Sequence, residues 1–515
     1  MTAAEAIGTS PRAGGAAALG LVTQLLDCFQ AEDISYCHWK SNEHLGPAIE
    51  GITDLDILVA RENAVALARV LAGEGFKRFR TAPARTYPAI EDYLGFDSDS
   101  GRLIHLHVHY QLTLGAQYVK GHRLPWEKHV LDTRLFDEAN NIYVAAPEVE
   151  LVLLAVRSAL KVRLRDRLAG GSPLGAGARR EWTWLVARVP ALRVLRVADE
   201  LLGPAGAAAL APMLTASPPS VRRLVAFRRA IRGALRAYRT YPPMEARLRR
   251  WGREFAVVWA RIGRRWLGGA TDTRRTVVAG GVLVAFIGAD GAGKSTATSA
   301  VANWLGWKIA VSATYGGSGV GSAGGLRRVL QRVSAMLRRG RRPLRASNEP
   351  AIPREPQAAG RSVSPLGAAK QIVWTLIVTR ERLARFARAQ RARNLGMVVL
   401  WDRYPQSQFA GLNDGPRLGR WLDHPSRALR AIARYEASAF ELAERCRPDV
   451  VVKLVVPFDA ARRRKPDTPL DQLRRKIEIV AALRYPATTR VIELDASQPL
   501  ESVLLDVKRI VWESL

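Results

Sequence analysis

Val277-Val278-Ala279-Gly280-Gly281-Val282-Leu283-Val284-Ala285-Phe286-Ile287-Gly288 runs straight into Ala289-Asp290-Gly291-Ala292-Gly293-Lys294-Ser295-Thr296. The first stretch is apolar and rich in β-branched residues, as a buried strand requires. The second turns on glycines before a helical pattern begins. Gly288 to Ser295 satisfies G-x-x-x-x-G-K-[ST] in the strand-to-helix setting that gives this motif its meaning. Glycines let backbone N–H groups face inward around phosphate oxygens, and the helix N-terminus adds a positive dipole. Lys294 is expected to reach the β- and γ-phosphates, and Ser295 to place its hydroxyl on Mg²⁺, with Thr296 beside it as a helix cap. The expected nucleotide contacts are Gly288, Ala289, Asp290, Gly291, Ala292, Gly293, Lys294, Ser295 and Thr296; an ordinary glycine-rich turn is the plain alternative.

Further strand candidates follow at Met397 to Trp401, Val450 to Val456 and Thr489 to Leu494, with helical stretches between them. This alternation implies an α/β unit, a parallel sheet with helices on both faces. The strand in residues 396–404 carries Asp402 to its C-terminal end, where open parallel sheets place their ligands. A carboxylate there can hold Mg²⁺ or accept a proton, and Arg403 can clamp a phosphoryl group; a plain ion pair at a helix entry is the structural alternative. No N-K-x-D guanine-reading motif follows, which favours ATP over GTP. Arg341 to Gly367 contains five prolines and is expected to be a mobile insert.

The strand and loop, the later Asp402-Arg403-Tyr404, and the run from Arg447 to Asp467 resemble the thymidylate kinase group of nucleoside monophosphate kinases over about residues 280–512. The resemblance implies that Lys294 and Ser295 bind ATP and Mg²⁺ and that Asp402 and Arg403 sit where the phosphoryl group moves. It also implies a lid carrying Arg462, Arg463, Arg464 and Lys465 that closes over the phosphates. That family shows an arginine-glutamate-proline-glycine-glycine segment after its second strand, and this chain has Ala313-Thr314-Tyr315-Gly316-Gly317-Ser318. A basic, proline-rich stretch from Leu326 to Gly367 falls where the acceptor would be held. The expected acceptor is therefore another nucleotide, a sugar or a small alcohol rather than thymidylate. An arginine row at 380–393 either binds that acceptor or faces solvent.

Residues 17–145 alternate helical stretches with strand-like runs, notably 54–60 and 102–110, as an α+β domain would. Alternation places Asp54 and Asp56 on one strand face, where two carboxylates can share a divalent metal. With residues 39–47 upstream as a turn and helix start, residues 34–112 resemble the nucleotidyltransferase superfamily, in which a small turn precedes D-x-D and a third acid follows on a neighbouring strand. The resemblance implies Mg²⁺ held by Asp54 and Asp56 against a nucleoside triphosphate. Here the turn reads Lys40-Ser41, and His107 stands where the third acid is expected, within His105-Leu106-His107-Val108-His109. These imidazoles either join the aspartates as ligands, shifting preference toward Mn²⁺ or Zn²⁺, or simply line one face of a half-exposed strand.

Between these regions the pattern is helical and arginine-rich. Residues 151–275 carry a net charge of +19 and residues 326–346 add +8, which is most of the chain's +31. On a helical wheel, Trp251, Phe255, Val258, Trp259, Ile262 and Trp266 form one stripe and Arg249, Arg250, Arg253, Arg261 and Arg264 lie opposite. Such a helix suits either the surface of an anionic membrane or packing against a neighbouring domain. No recognisable nucleic-acid-binding module accompanies the charge.

The 515 residues suffice for about three domains. Boundaries are expected at 17–146 for the nucleotidyltransferase-like domain, 147–275 for a basic helical connector and 276–515 for the kinase-like domain. Cys28, Cys37 and Cys446 form an odd set without C-x-x-C spacing, so neither a disulfide framework nor a cysteine zinc site is supported and a reducing compartment is expected. With 48% apolar and 24% charged residues the chain is globular, and its longest apolar stretch, Val277 to Ala289, is too short to span a bilayer. The N-terminal residues lack the basic and apolar segments of a secretion signal, so a cytoplasmic protein, peripheral to membrane at most, is expected. The leading expectation is an ATP-dependent phosphotransferase. Its rivals are a nucleotidyltransferase using Asp54 and Asp56, and a non-catalytic ATP-responsive module that binds membrane or polyanion; a homodimer stays open.

Overall fold

The computed structural model describes residues 18–162, 174–215, 218–266, 274–316, 365–409 and 415–515. The expected mobile insert at 341–367 lies outside the described residues up to position 364. The chain forms two compact units, one reaching Gly263 and including the segment up to Val278, the other running from Ala279 onward. Both combine sheet and helix, the first with a mixed sheet and the second with a parallel one. No helix among the described residues is long and apolar enough to cross a membrane.

The first unit contains β1 (Tyr36–His38), β2 (Leu55–Val59), β3 (Lys77–Arg80), β4 (Ile90–Asp97), β5 (Arg102–His109), β6 (Leu112–Leu114), β7 (His122–Leu124), β8 (Leu135–Asp137), β9 (Ile142–Val144) and β10 (Thr276–Val277). Eight of them form one sheet in the order β10-β3-β4-β5-β2-β1-β9-β8, and β6 pairs with β7 as a hairpin. Period-two alternation sorts the sheet's side chains. Leu55, Ile57 and Val59 of β2, with Leu106 and Val108 of β5, join the core beneath helices Gly20–Ala31 and Ala64–Gly73. Asp56 and Leu58, with His105, His107 and His109, therefore project from the opposite face. Beside these polar residues, Cys37, Trp39, Leu58 and Leu112 form an apolar surface that needs cover.

The helices after Pro147 supply it, so the stretch expected to be a connector is instead part of the first unit's core. Helix Pro147–Lys161 is buried almost all round, from Val149 to Leu160, as its nearly continuous apolar sequence demands. Trp182, Val194, Leu210 and Phe227, from helices Ala176–Val186, Ala191–Leu202, Pro204–Leu214 and Val221–Ala230, pack into the same cluster as Trp39 and Leu58. At the far end, β10 pairs antiparallel with β3, so the boundary expected at 276 falls instead after Val278. Helix Pro243–Trp266 turns its stripe outward: Trp251, Phe255, Val258, Trp259 and Ile262 are exposed. Its opposite face buries Val257 and sends the Arg253 guanidinium to the Tyr118 carbonyl at 2.7 Å.

The second unit is built on β11 (Leu283–Gly288), β12 (Val311–Tyr315), β13 (Val398–Asp402), β14 (Val450–Val455) and β15 (Arg490–Asp495). They run parallel in the order β12-β13-β11-β14-β15. Leu283, Ala285 and Ile287 alternate into a core with Val399, Trp401, Phe386 and Ala443, which brings in helices Pro365–Asn394 and Arg427–Arg445. Helices Lys294–Leu305 and Leu500–Glu513 pack together as a separate pair. With β11 central, the chain passes from β11 to β12 on one side and from β13 to β14 on the other, a reversal that places a crevice at the carboxyl ends of β11 and β13.

Candidate functional site

At that crevice β11 ends in the glycine-rich turn. Gly291 and Gly293 adopt φ of 82° and 84°, left-handed values that a side chain resists. Helix Lys294–Leu305 starts immediately after them, with Gly293 at the N-cap position, so Thr296 is not the cap it was expected to be. It lies exposed within the first turn. Lys294 is buried and curls back, its Nζ donating to the Ala289 carbonyl at 2.7 Å. Ser295 Oγ donates to Asp402 Oδ2 at 2.6 Å, joining the helix start to the end of β13. Asp402 is 4% exposed, and its Oδ1 has no hydrogen-bond partner. A hydroxyl and a carboxylate presented together, with one carboxylate oxygen unspent, are a hard-oxygen donor set that fits Mg²⁺.

Arg403 follows with φ of 62°, an unusual backbone value that turns the chain sharply after the strand. Its Nη2 stands 3.2 Å from Asp290 Oδ1, and Lys476 Nζ holds the other oxygen at 2.6 Å. Burial alone would raise the Asp290 carboxyl, but Lys476 and Arg403 outweigh it and hold it below the usual range. Arg403 also faces the Tyr315 ring at 5.8 Å. Gly316 comes so close that a Cβ there would collide with the Arg403 carbonyl oxygen. The three lid arginines on helix Phe458–Arg464 are all exposed, and Arg464 donates to the carbonyls of Gly291 and Ala496 at 3.3 and 2.9 Å. The structure thus gathers Lys294, Ser295, Asp402, Arg403 and Arg464 around one loop. Lys476 was not foreseen; the signal was Asp290, an acid inside a phosphate-binding loop that demands a nearby cation.

The first unit holds a second polar centre, arranged differently from the expectation that Asp54 and Asp56 share one metal. Asp54 lies just before β2, and its Oδ1 is 2.8 Å from His105 Nδ1. His105 Nε2 is in turn 2.8 Å from Asp92 Oδ1, which also meets Arg275 Nε at 2.8 Å. Asp56 Oδ1 instead meets Lys40 Nζ at 2.8 Å, His107 Nδ1 at 2.8 Å and His109 Nε2 at 3.5 Å. Burial would raise Asp56, but Lys40, His107 and His109 hold it well below the carboxylate range. Strand register explains the split: β2 and β5 are parallel with Asp56 opposite His107, so the alternating histidines fall beside successive acids. Burial together with Lys40 brings the neighbouring Lys120 ammonium down to about 7.

Buried glutamates from the following helices fix the turn upstream. Glu181 accepts from the Ser41 backbone N–H at 3.0 Å, and Glu150 accepts from the Asn42 N–H at 3.0 Å and from its side-chain amide at 2.7 Å. Arg157 Nη2 bridges both oxygens of Glu181 at 2.7 Å. Burial, reinforced by Glu181, raises Glu150 and pushes Glu43 up to about 7. Ser41 takes φ of 60°, in a position where a glycine would relax.

No family model matches the chain. The Escherichia coli (strain K12) protein YghR, named as an uncharacterized ATP-binding protein, is 26% identical over 231 residues, which is 44% of this chain and 86% of that one. YghS from the same strain, with the same description, is 24% identical over 234 residues, 45% of this chain and 93% of its own length. Among solved structures, a thymidylate kinase from Ehrlichia chaffeensis aligns with 14% identity and a TM-score of 0.23, over 45% of this chain and 98% of that one.

Proposed function

We propose that the second unit transfers the γ-phosphoryl group of ATP to a nucleotide, sugar or small-alcohol acceptor, as thymidylate-kinase-like enzymes do with theirs. The observation that carries this reading is the 2.6 Å bond between Ser295 and Asp402, which pairs a hydroxyl at the helix start with a carboxylate at the end of the adjacent parallel strand. Mg²⁺ held there would neutralise charge on the β- and γ-phosphates. Lys294 exchanges its bond to Ala289 for the phosphate oxygens, which are stronger acceptors because they are charged. Backbone N–H groups between Gly288 and Ser295 supply the rest of the cradle.

Arg403 stands beside Asp402 with its guanidinium steered by Asp290, so its charge is fixed near the loop before any substrate arrives. Preorganised charge of this kind stabilises the migrating phosphoryl group at little reorganisation cost. Arg464 ties the lid helix to the loop through the Gly291 carbonyl, leaving Arg462 and Arg463 to swing onto the phosphates. The ATP-binding description of YghR and YghS agrees with this assignment. The test is product analysis of γ-labelled ATP with purified protein, Mg²⁺ and a panel of nucleoside monophosphates, sugars and small alcohols. ADP and a labelled acceptor are expected from wild type and not from Lys294→Ala. Labelled pyrophosphate, or nucleotide bound without turnover across the panel and a cell metabolite extract, would overturn the kinase reading.

A further inference from the structure

We propose that Asp56, His107 and His109 of the first unit form a binding site for one divalent transition-metal ion. Their donor atoms converge: Asp56 Oδ1 to His107 Nδ1 is 2.8 Å, His107 Nδ1 to His109 Nε2 is 3.2 Å, and His109 Nε2 to Asp56 Oδ1 is 3.5 Å. These three edges match those of three ligands around one ion. At bonds of about 2.1 Å, neighbouring ligands stand about 3.0 Å apart in octahedral and about 3.4 Å apart in tetrahedral geometry. The three residues are brought together by sheet architecture, because parallel pairing sets Asp56 opposite His107 and alternation returns His109 to the same face. Rigid strands hold such a site better than loops do.

Two imidazoles and one carboxylate suit zinc, iron or manganese, whereas Mg²⁺ and Ca²⁺ prefer oxygen alone. Asp54 plays no direct part. It stands against His105, which in turn meets Asp92, so this chain braces the strand alongside the site. Three ligands leave coordination positions open. The ammonium of Lys40, 2.8 Å from the Asp56 carboxylate, makes an anionic ligand the natural occupant of those positions. Lys40 also competes with a metal for the same oxygen, which gives the proposal an unusual test.

The full chain carrying Asp402→Ala, to silence the second unit's oxygen site, is stripped with chelator and titrated with Co²⁺ alone as the probe. One equivalent is expected, with a visible absorption band of a nitrogen-ligated site. His107→Ala and His109→Ala should each weaken binding at least tenfold. Lys40→Met should tighten it, because a positive charge leaves the carboxylate, and damage to the fold cannot produce that gain. Absence of a band in both the Lys40 parent and Lys40→Met would overturn the proposal and leave Lys40 as the site's resident cation. A band that survives the double histidine variant would overturn it equally. This outcome is independent of phosphoryl transfer in the second unit.

Discussion

Replacing Asp402 by Asn should move two quantities in opposite directions. The carboxylate is 4% exposed, one oxygen accepts from Ser295 at 2.6 Å, and the other has no hydrogen-bond partner. Holding a charge there without ligand costs desolvation energy, and Asn keeps an acceptor for Ser295 while removing the charge. The ligand-free second unit should therefore gain about 1 kcal/mol against unfolding. Binding of Mg²⁺-ATP loses a charged ligand worth about 2–3 kcal/mol, which is about 30- to 150-fold in Kd. Calorimetric titration with ATP, in Mg²⁺ and again in EDTA, separates the metal's share, and urea unfolding without nucleotide reads the stability. Equal affinity of variant and wild type in Mg²⁺ would refute the metal-ligand role, as would a loss of the same size in EDTA. A fall in ligand-free stability would show that the carboxylate is structural.

Three further outcomes follow from the same geometry. Gly316→Ala places a methyl against the Arg403 carbonyl and should cost about 1–3 kcal/mol of stability while weakening nucleotide binding, read by thermal unfolding with and without ATP. Burial raises Glu43 to about 7, above its unfolded value, so its contribution is fully present below the ordinary carboxylate range and is lost as pH rises toward 7. The stability advantage of Glu43→Gln over wild type should accordingly grow from pH 5 to 7 and level off above, and a pH-independent difference would contradict this. A fragment ending at residue 146 should stay unfolded by circular dichroism, whereas one ending at 278 folds, because Trp39 and Leu58 share their core with Trp182 and Phe227.

The second unit was largely legible because its motifs are local. Strand, loop, helix start and Asp402 each announce themselves within a few residues, and a parallel sheet then has few ways to bring them together. Lys476 was invisible because it reaches Asp290 from 186 positions away, and nothing in its own neighbourhood marks it. In the first unit, alternation found the right face for Asp56 and the three histidines. It paired Asp54 with Asp56, since sequence shows which side chains share a face but not which neighbouring strand claims each. The helices after Pro147 looked like a connector because arginine dominates their composition. Their buried positions, however, follow the apolar residues, and the sheet face that they cover could be seen only once β1, β2 and the β6–β7 hairpin were assembled.

The outward stripe on helix Pro243–Trp266 has an optical consequence. Exposed Trp251 and Trp259 emit from a polar environment, unlike the fully buried Trp39, Trp182 and Trp401, and a soluble quencher reaches the first pair ahead of the others. Whatever surface comes to cover that helix will shift their emission to shorter wavelength and shield them from the quencher, so the protein carries its own fluorescent indicator of contact at this face.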